Sequence, residues 1–465
     1  MTANHEYRPH VIDERLAEML PRGSLFAVGG RVRDELRADA EHIEPQRKDL
    51  DYVVTGLDLD SLRTHLQDAI RIDLVGASFS VLKVTLEGTT VDVALPRRER
   101  STGTGHRDYE VESGPHVTLE QDLARRDFRM NMLARALPSG MLVDPFGGAD
   151  DIRARRISIL SPRAFAEDPL RMLRAAQFAA RFEYSVSDET REAMIAAAQS
   201  VKTVSAERLA EELSKMLVLA RRPSIGLELM RETGLLTAIW PELLEGEGVE
   251  QNEWHAHDVY RHALATVDAA AAGDLVGRLA AVLHDIGKPR TKSGPHFYGH
   301  ETVGEEMAHD MLARLRFSNQ VIDDVSHLVR HHMYSADPNI TDAGLRRFIR
   351  RIGPDRLQRQ FSLRAADAIG SGLPRREDGN ARFEARVWAE VERKPAFSVR
   401  DVAVSGEDVI EMMIRKGLVP HGFHGDARVG AALQWAFEQV TERPQRNERT
   451  CLLTLLDEYF DAKLA

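Results

Sequence analysis

Apolar positions along the chain fall into two regimes. Ser24 to Val28 is an apolar run that meets Gly29-Gly30, and Arg31-Val32-Arg33-Asp34-Glu35-Leu36 then returns to a helical spacing. This pattern predicts a strand, a glycine turn and a helix. Lys48-Asp49-Leu50-Asp51-Tyr52-Val53-Val54 sets two carboxylates ahead of a β-branched run, and so predicts a strand with Asp49 and Asp51 on one face. Ser80 to Leu86 alternates apolar and polar residues, and Thr89 to Leu95 carries Asp92 between Val91 and Val93, on the polar face of a further strand. From Asp188 to Arg222 the period changes to that of amphipathic helices, with Ser205 opening one of them. Helical periodicity runs on to Trp240, where Pro241 breaks it. Another apolar helix ends at Leu283, followed by glycine and proline stop signals, and residues Ser371 to Asn380 read as a linker rich in Gly, Pro and charge.

Composition narrows the setting. A chain of 465 residues with 43% hydrophobic and 29% charged residues has room for two to four globular domains. Its one cysteine, Cys451, excludes an internal disulfide and fits a reducing compartment. No apolar run has membrane-spanning length, and Met1 to His10 lacks an apolar signal core, so the expectation is a cytoplasmic protein with no membrane partner. A net charge of −11 argues against wholesale coating of nucleic acid, but arginines cluster locally. The clusters are Arg97, Arg98 and Arg100; Arg125 and Arg126; Arg153, Arg155 and Arg156; and Arg346, Arg347, Arg350 and Arg351.

Three groups of residues carry candidate chemistry. Asp49 and Asp51 on a rigid strand offer an oxygen-only site suited to Mg²⁺, with Asp92 a third carboxylate. Gly29-Gly30 at a helix start leaves backbone N–H groups free to receive a phosphate. Asp168 followed by Pro169 is a helix cap, and Asp168 with Arg171 one turn later is equally an acceptor and forked donor that read the edge of a base. The third group is histidine-rich: His255, His257, His262, His284, His300, His309, His327, His331 and His332. Within it, His284-Asp285 is suited to a divalent metal, whose charge compensates a buried carboxylate.

The series GGRVRDEL, KDLDYVV, VDVALPRRE, DLARRDFRMN, VDPFGG and EDPLRMLRA, between Ser24 and Leu217, resembles class II tRNA nucleotidyltransferases. These are the CCA-adding enzymes and their relatives, the bacterial poly(A) polymerases. The resemblance implies an α+β chain: a nucleotidyltransferase head with a small mixed sheet over residues 1–155, a helical neck over 156–240, a further body over 241–375 and a helical tail over 376–465 that packs on tRNA.

The same resemblance implies residue roles. Gly29, Gly30 and Arg33 belong to a triphosphate-binding turn, and Asp49, Asp51 and Asp92 form the Mg²⁺-dependent catalytic set. Arg125, Arg126, Asp127 and Asn131 form a ribose- and nucleotide-binding segment. Glu167, Asp168 and Arg171, with Arg174 on the same helix, select CTP or ATP. The loop between Leu95 and Asp122, which includes His106 and Arg107, is full length, as in enzymes that add all of CCA.

In the body, His262, His284, Asp285 and Asp367 resemble an HD-superfamily metal phosphohydrolase. His300 and either His331 or His332 are candidates for a second metal, which is Mg²⁺ or a transition metal. His255, His257, His309 and His327 are expected to be structural. The implied function is addition and repair of the tRNA 3′-CCA end, with hydrolysis of 2′,3′-cyclic or 2′-phosphates as a second activity. The alternatives are a poly(A) polymerase, an A- or CC-adding enzyme, or a phosphohydrolase with an RNA-binding head.

Overall fold

The computed structural model describes residues 7, 9–44, 50–75, 81–101, 109–337, 339–373, 380–393 and 395–464. Asp49, His106 and Arg107 fall outside them, as does most of the expected linker. The chain divides into two units, Met1–Glu245 with Arg314–Phe317, and Gly246–Ala313 with Ser318–Ala465. No helix among the described residues is long and apolar enough to cross a membrane.

The first unit is α+β, as expected. Its sheet contains β1 (Leu25–Val28), β2 (Asp51–Val54), β3 (Arg71–Val75), β4 (Val81–Leu86) and β5 (Thr89–Ala94). A separate antiparallel pair, β6 (Arg97–Ser101) and β7 (Tyr109–Ser113), follows, and β8 (Ala134–Ala136) with β9 (Leu142–Val143) completes the sheet. The order is β3-β4-β5-β2-β1-β8-β9. All neighbours are antiparallel except β2 and β5, which run parallel and set Asp51 opposite Asp92.

Burial explains the strand pattern. Tyr52, Val53 and Val54 are all buried, so β2 is covered on both faces, as its continuous apolar run requires. On β5, Val91 and Val93 are buried and Asp92 turns to the open face. Helix α1 (Val11–Met19) and helix α2 (Gly30–Glu41) add to this unit. Farther along, α3 (Leu170–Phe182) and α4 (Ala206–Leu219) belong to the helical part of the same unit. Ser205 stands at the N-cap of α4, where the sequence places a helix start.

One buried charge pair fixes α1 against the glycine turn. Asp13 accepts from the Arg31 guanidinium at 2.5 and 2.7 Å and from the Tyr52 hydroxyl at 2.6 Å. Arg31 also bonds Glu35 at 3.0 Å. Burial would raise the Asp13 carboxyl, but the hydrogen bonds from Arg31 and Tyr52 outweigh it and hold the carboxyl below its ordinary value.

In the second unit α5 (Val259–Ala269), α6 (Leu275–Leu283), α7 (His300–Arg314), α8 (Asn319–His331), α9 (Asp342–Ile352) and α10 (Leu357–Gly370) carry the histidine cluster and its support. Helices α11 (Asn380–Glu392) and α12 (Ala427–Glu442) follow in the chain's C-terminal part. The arginine cluster on α9 is not an open basic face. Arg346 donates to Glu390 at 2.6 Å and to the carbonyls of Thr441 and Glu442, Arg347 pairs with Glu442, and Arg350 pairs with Glu438 at 2.9 Å. These contacts bind α9 to α11 and α12.

Removing one partner of a buried ion pair leaves the other charge unmatched, at a cost of about 3–5 kcal/mol. Asp13→Asn is therefore expected to lower the thermal unfolding midpoint at pH 7. A carboxyl with a depressed folded-state pKa stabilises the fold above its unfolded value and loses that effect as pH falls through the folded value. The gap between wild type and variant should therefore begin to narrow below about pH 4, where the unfolded carboxyl takes up its proton, and go on narrowing as pH falls toward the folded value. Unfolding curves at pH 7 and pH 3.5 check both points.

Candidate active sites

The first site is built on β1, β2, β5 and the turn into α2. Gly29 has φ 76° and ψ −143°, a left-handed conformation that a side chain would strain. A Cβ added there would stand 3.3 Å from an Arg126 guanidinium nitrogen and 3.4 Å from Asp51 Oδ2. Glycine, carboxylate and arginine thus converge on one point at the start of a twelve-residue helix whose N-cap provides no side-chain hydrogen bond. Its first N–H groups and the helix dipole favour an anion there. Asp92 is the in-register neighbour of Asp51, and Lys83 on β4 lies 3.4 Å from its carboxylate.

Behind this point runs a chain of buried polar contacts. Arg33 donates to Asn131 Oδ1 at 2.9 Å, Asn131 donates to Asp127 Oδ1 at 2.8 Å, and Arg174 donates to Asp127 Oδ2 at 2.9 Å. Arg174 also lies 3.5 Å from Glu212 on α4. Burial would raise the Asp127 carboxyl, but Arg174, Asn131 and the Phe128 N–H outweigh it and hold it below its usual value. Arg33 is itself buried, with its guanidinium about 5 Å from the ring centres of Phe178 and Phe182. In the structure, Arg33, Asp127, Asn131 and Arg174 therefore form a strut between the α2 turn and α3.

At the start of α3 the three residues expected to read a base are held by one another and by neighbouring groups. Asp168 Oδ1 accepts from the Leu170 N–H at 3.2 Å, which is a capping contact, and Oδ2 lies 3.0 Å from Arg208. Arg171 donates to the Arg125 carbonyl at 2.7 Å and to Glu167 at 3.2 Å. Arg125 and Arg126 both pair with Asp122, at 3.0 and 3.2 Å. Sequence reading misses Arg208, which no period marks, and Glu212, which the helical spacing of Leu209, Leu213 and Met216 places on the buried face of α4.

The second site lies among α5, the turn after α6, α7, the end of α8 and α10. His262 and His284 bring their Nε2 atoms to 3.1 Å, and Asp367 Oδ1 lies 3.0 and 3.7 Å from them. Asp285 Oδ2 is 3.4 Å from His262 Nε2 and 3.2 Å from His284 Nε2. The other oxygen of Asp285 is 3.4 Å from His300 Nε2 and 3.5 Å from His332 Nε2, which are 3.1 Å apart. One carboxylate thus faces two histidine pairs.

Gly287 makes this approach possible, since a Cβ there would stand 2.3 Å from the His300 carbonyl oxygen. The Nδ1 atoms of His284, His300 and His332 lie 2.9, 2.7 and 2.7 Å from the carbonyls of Ala281, Phe297 and Val329. Donation from Nδ1 leaves Nε2 as the inward lone pair. In the His300–His332 pair, two such lone pairs 3.1 Å apart repel unless a proton or cation lies between them. That spacing also matches two nitrogens each about 2.1 Å from one ion. The donor set therefore fits two metal ions that share Asp285. Burial would lower His284, but Asp285 and Asp367 outweigh it and raise the imidazolium to about 10.

Of the two adjacent histidines, His332 and not His331 reaches this cluster; His331 packs on His327 with ring centres 4.5 Å apart. His255, expected to be structural, also differs. It falls within a ligand-sized group with His262 and Asp285, its ring 4.8 Å from that of His262. Lys288 joins the site too, with Nζ 2.6 Å from Asp285 Oδ2 and donating to Gln251 at 2.6 Å.

Three family models match the chain in succession. They describe a poly(A) polymerase head domain over residues 25–158, a probable RNA and SrmB-binding site of polymerase A over 183–246, and an HD domain over 259–370. The multifunctional CCA protein of Cupriavidus necator is 34% identical over 403 residues, covering 83% of this chain and 94% of that protein. The one from Nitrosococcus oceani is 34% identical over 407 residues, covering 84% and 95%. Among solved structures, the Bacillus stearothermophilus CCA-adding enzyme in complex with CTP matches with a TM-score of 0.67 at 22% identity, covering 94% of both chains. The Thermotoga maritima CCA-adding enzyme complexed with tRNA matches at 0.53 and 17% identity, covering 98% and 97%.

The geometry separates the two adjacent histidines experimentally. After loading with a transition metal and dialysis, His332→Ala is expected to hold about one equivalent less per chain than wild type, because one of the two ion positions loses a ligand. His331→Ala should keep the wild-type content. Elemental analysis of the three proteins decides between them.

Proposed function

The chain belongs to the family of multifunctional CCA proteins, and we propose that its head adds C, C and A in order to tRNA ends from CTP and ATP. The observation that carries this reading is the convergence of Gly29, Asp51 and Arg126, with Asp92 in register beside Asp51. Mg²⁺ held at the head carboxylates would supply charge that lowers the pKa of the attacking hydroxyl and neutralises the triphosphate. Asp51 and Asp92 hold that charge on a sheet, and Asp49 is proposed as the third member of the set. The Gly29 turn and Arg126 hold the triphosphate. The primer 3′-oxygen bonds to the α-phosphorus, the bond to the β-phosphate oxygen breaks, pyrophosphate leaves and the hydroxyl proton passes to solvent.

Selection of the nucleotide is assigned to Glu167, Asp168 and Arg171. A carboxylate accepts the exocyclic amino proton of cytosine or adenine, and a guanidinium donates to the adjacent ring nitrogen. Arg208 orients Asp168, and the Asp127 strut fixes α3 relative to the triphosphate turn.

A second activity is favoured by one specific observation, the sharing of Asp285 between two histidine pairs. It is metal-dependent hydrolysis of a phosphate ester, with 2′,3′-cyclic and 2′-phosphates at RNA ends as the proposed substrates. A metal held by His262, His284, Asp285 and Asp367 would supply Lewis acidity and activate a water there. Lys288 places a cation at the rim of the cluster, suited to a phosphate oxygen. The water oxygen bonds to phosphorus, one ester bond breaks and the released ribose oxygen takes the proton. The identities of the head and HD metals are proposed as Mg²⁺ and a divalent transition metal or Mg²⁺.

Asp51→Ala is expected to lower incorporation of labelled CTP and ATP by at least 10³-fold with tRNA affinity within about threefold of wild type, as loss of electrostatic stabilisation at the reacting phosphate predicts. Ordered C, C, A addition that then stops supports complete CCA synthesis. Addition of A only after CC, or unlimited A, replaces it with an A-adding enzyme or a poly(A) polymerase. Asp285→Ala should abolish 2′,3′-cyclic phosphate hydrolysis and spare CCA addition; hydrolysis at the wild-type rate would remove the second activity from this site.

A further inference from the structure

Two parts of the head must keep a fixed spacing, the glycine turn and the strand end that carries Asp51. Backbone pairing between their strands stops short of both. The register of β1 with β2 runs Leu25–Val54, Phe26–Val53 and Ala27–Tyr52, and Ala27–Tyr52 is the last pair before the turn. Gly29 and Asp51 both lie beyond it. Asp51 is paired with Asp92 of β5 and Val28 with Ala134 of β8, so the two ends of the site hang on different neighbours.

A side chain from α1 spans this seam. Asp13 Oδ1 accepts the Tyr52 hydroxyl at 2.6 Å and an Arg31 N–H at 2.7 Å, and Oδ2 accepts a second Arg31 N–H at 2.5 Å. Tyr52 directly follows Asp51, and Arg31 directly follows Gly29-Gly30. One carboxylate therefore grips the neighbour of the metal-binding position and the neighbour of the phosphate-binding turn. All three side chains are buried, Asp13 completely.

The clasp is braced from its outer side. Tyr7 donates its hydroxyl to Asp13 Oδ2 at 2.9 Å, and the His10 N–H donates to the same oxygen at 2.8 Å. Arg31 and Arg135 share Glu35, at 3.0 and 3.1 Å, and the Arg135 guanidinium lies 4.9 Å from the centre of the Tyr7 ring. These contacts close a ring through Tyr7, Asp13, Arg31, Glu35 and Arg135. A buried network of charged hydrogen bonds holds a single geometry. The family model for the head begins at residue 25, so α1 and its Asp13 precede the matched part.

Building on the nucleotidyl-transfer reading of the head, we propose that Asp13 is a positioning residue for that reaction. Through Arg31 and Tyr52 it sets the distance between the turn that takes the triphosphate and the carboxylate of Asp51. It touches neither substrate nor metal. Such spacing governs the reacting geometry more than nucleotide binding, since a misplacement of about 1 Å costs roughly 10²-fold in rate.

The two hydroxyls on Asp13 provide a matched test. Tyr52→Phe removes the arm that reaches the Asp51 strand and leaves the Asp13–Arg31 pair intact. Tyr7→Phe removes an equivalent bond from the outer side. Initial rates of CTP addition to tRNA ending before CCA, and of ATP addition to tRNA ending in CC, give kcat and KM for each nucleotide. They are measured where circular dichroism shows every variant folded. Tyr52→Phe is expected to lower kcat at least about fivefold, by the same factor for CTP and ATP, with KM within about twofold of wild type. Tyr7→Phe should keep the wild-type kcat. Arg31→Lys, which keeps the charge and gives up the forked contact, should repeat the Tyr52→Phe result from the other arm.

Wild-type kcat in both Tyr52→Phe and Arg31→Lys, or equal losses in Tyr52→Phe and Tyr7→Phe, overturns the positioning role and leaves the nucleotidyl-transfer reading in place. A loss for one of two nucleotides that wild type adds also overturns it, because the turn and Asp51 serve both. A wild-type protein that adds neither nucleotide rejects the reading and the positioning role together.

Discussion

Asp285 is buried with both oxygens facing imidazole nitrogens, and a carboxylate held there must be matched by positive charge. That requirement organises the second unit. It places His284 at the end of α6, His300 at the start of α7, His332 just beyond α8 and His262 on α5, and it makes the Gly287 approach necessary. The first unit repeats the theme with different partners. Asp13 is matched by Arg31, Asp122 by Arg125 and Arg126, and Asp127 by Arg174. In each unit the residues with chemistry to perform are held by charges that cannot be removed singly without leaving a buried ion unmatched.

The two halves of the head illustrate how position and recognition are divided. Strand pairing sets Asp51 beside Asp92 through backbone bonds alone, so the carboxylate geometry is as rigid as the sheet. The residues proposed to read the base sit at a helix start and rely on the Arg208 side chain, the Arg125 carbonyl and the contact between Arg171 and Glu167. Such contacts can be exchanged for contacts with a base without disturbing the sheet. A rigid reaction centre and an adaptable reading edge then coexist within one unit, which suits an enzyme that must accept two different bases at one triphosphate site.

Much of this was legible because each signal was local. The glycine pair, the strand of Asp51 and the hairpin around Asp92 follow from short-range pattern, and the HD turn follows from helix stop signals. His332 was also within reach: it follows Val325, Leu328 and Val329 by seven, four and three residues, the buried stripe of α8, whereas His331 lies one step around the helix. The role of His255 was not legible, because its loop meets α5 through tertiary folding and no period connects the two. Arg208 shares that reason, whereas Glu212 lies on the buried stripe of Leu209, Leu213 and Met216 and was within reach. For the α9 arginines the limit is similar, since a run of charge on a helix does not reveal which acids lie across from it.

Those arginines carry one more consequence. Arg346, Arg347 and Arg350 are each committed to a carboxylate of α11 or α12, so α9 adds little to the electrostatic field that steers a polyanion. A phosphate arriving there would displace a protein carboxylate rather than release condensed counterions, and the exchange would gain little mixing entropy. The segment richest in positive charge is thus among the least responsive to ionic strength as an RNA contact. Salt dependence in holding nucleic acid then falls to Arg351 and to arginines and lysines elsewhere on the surface.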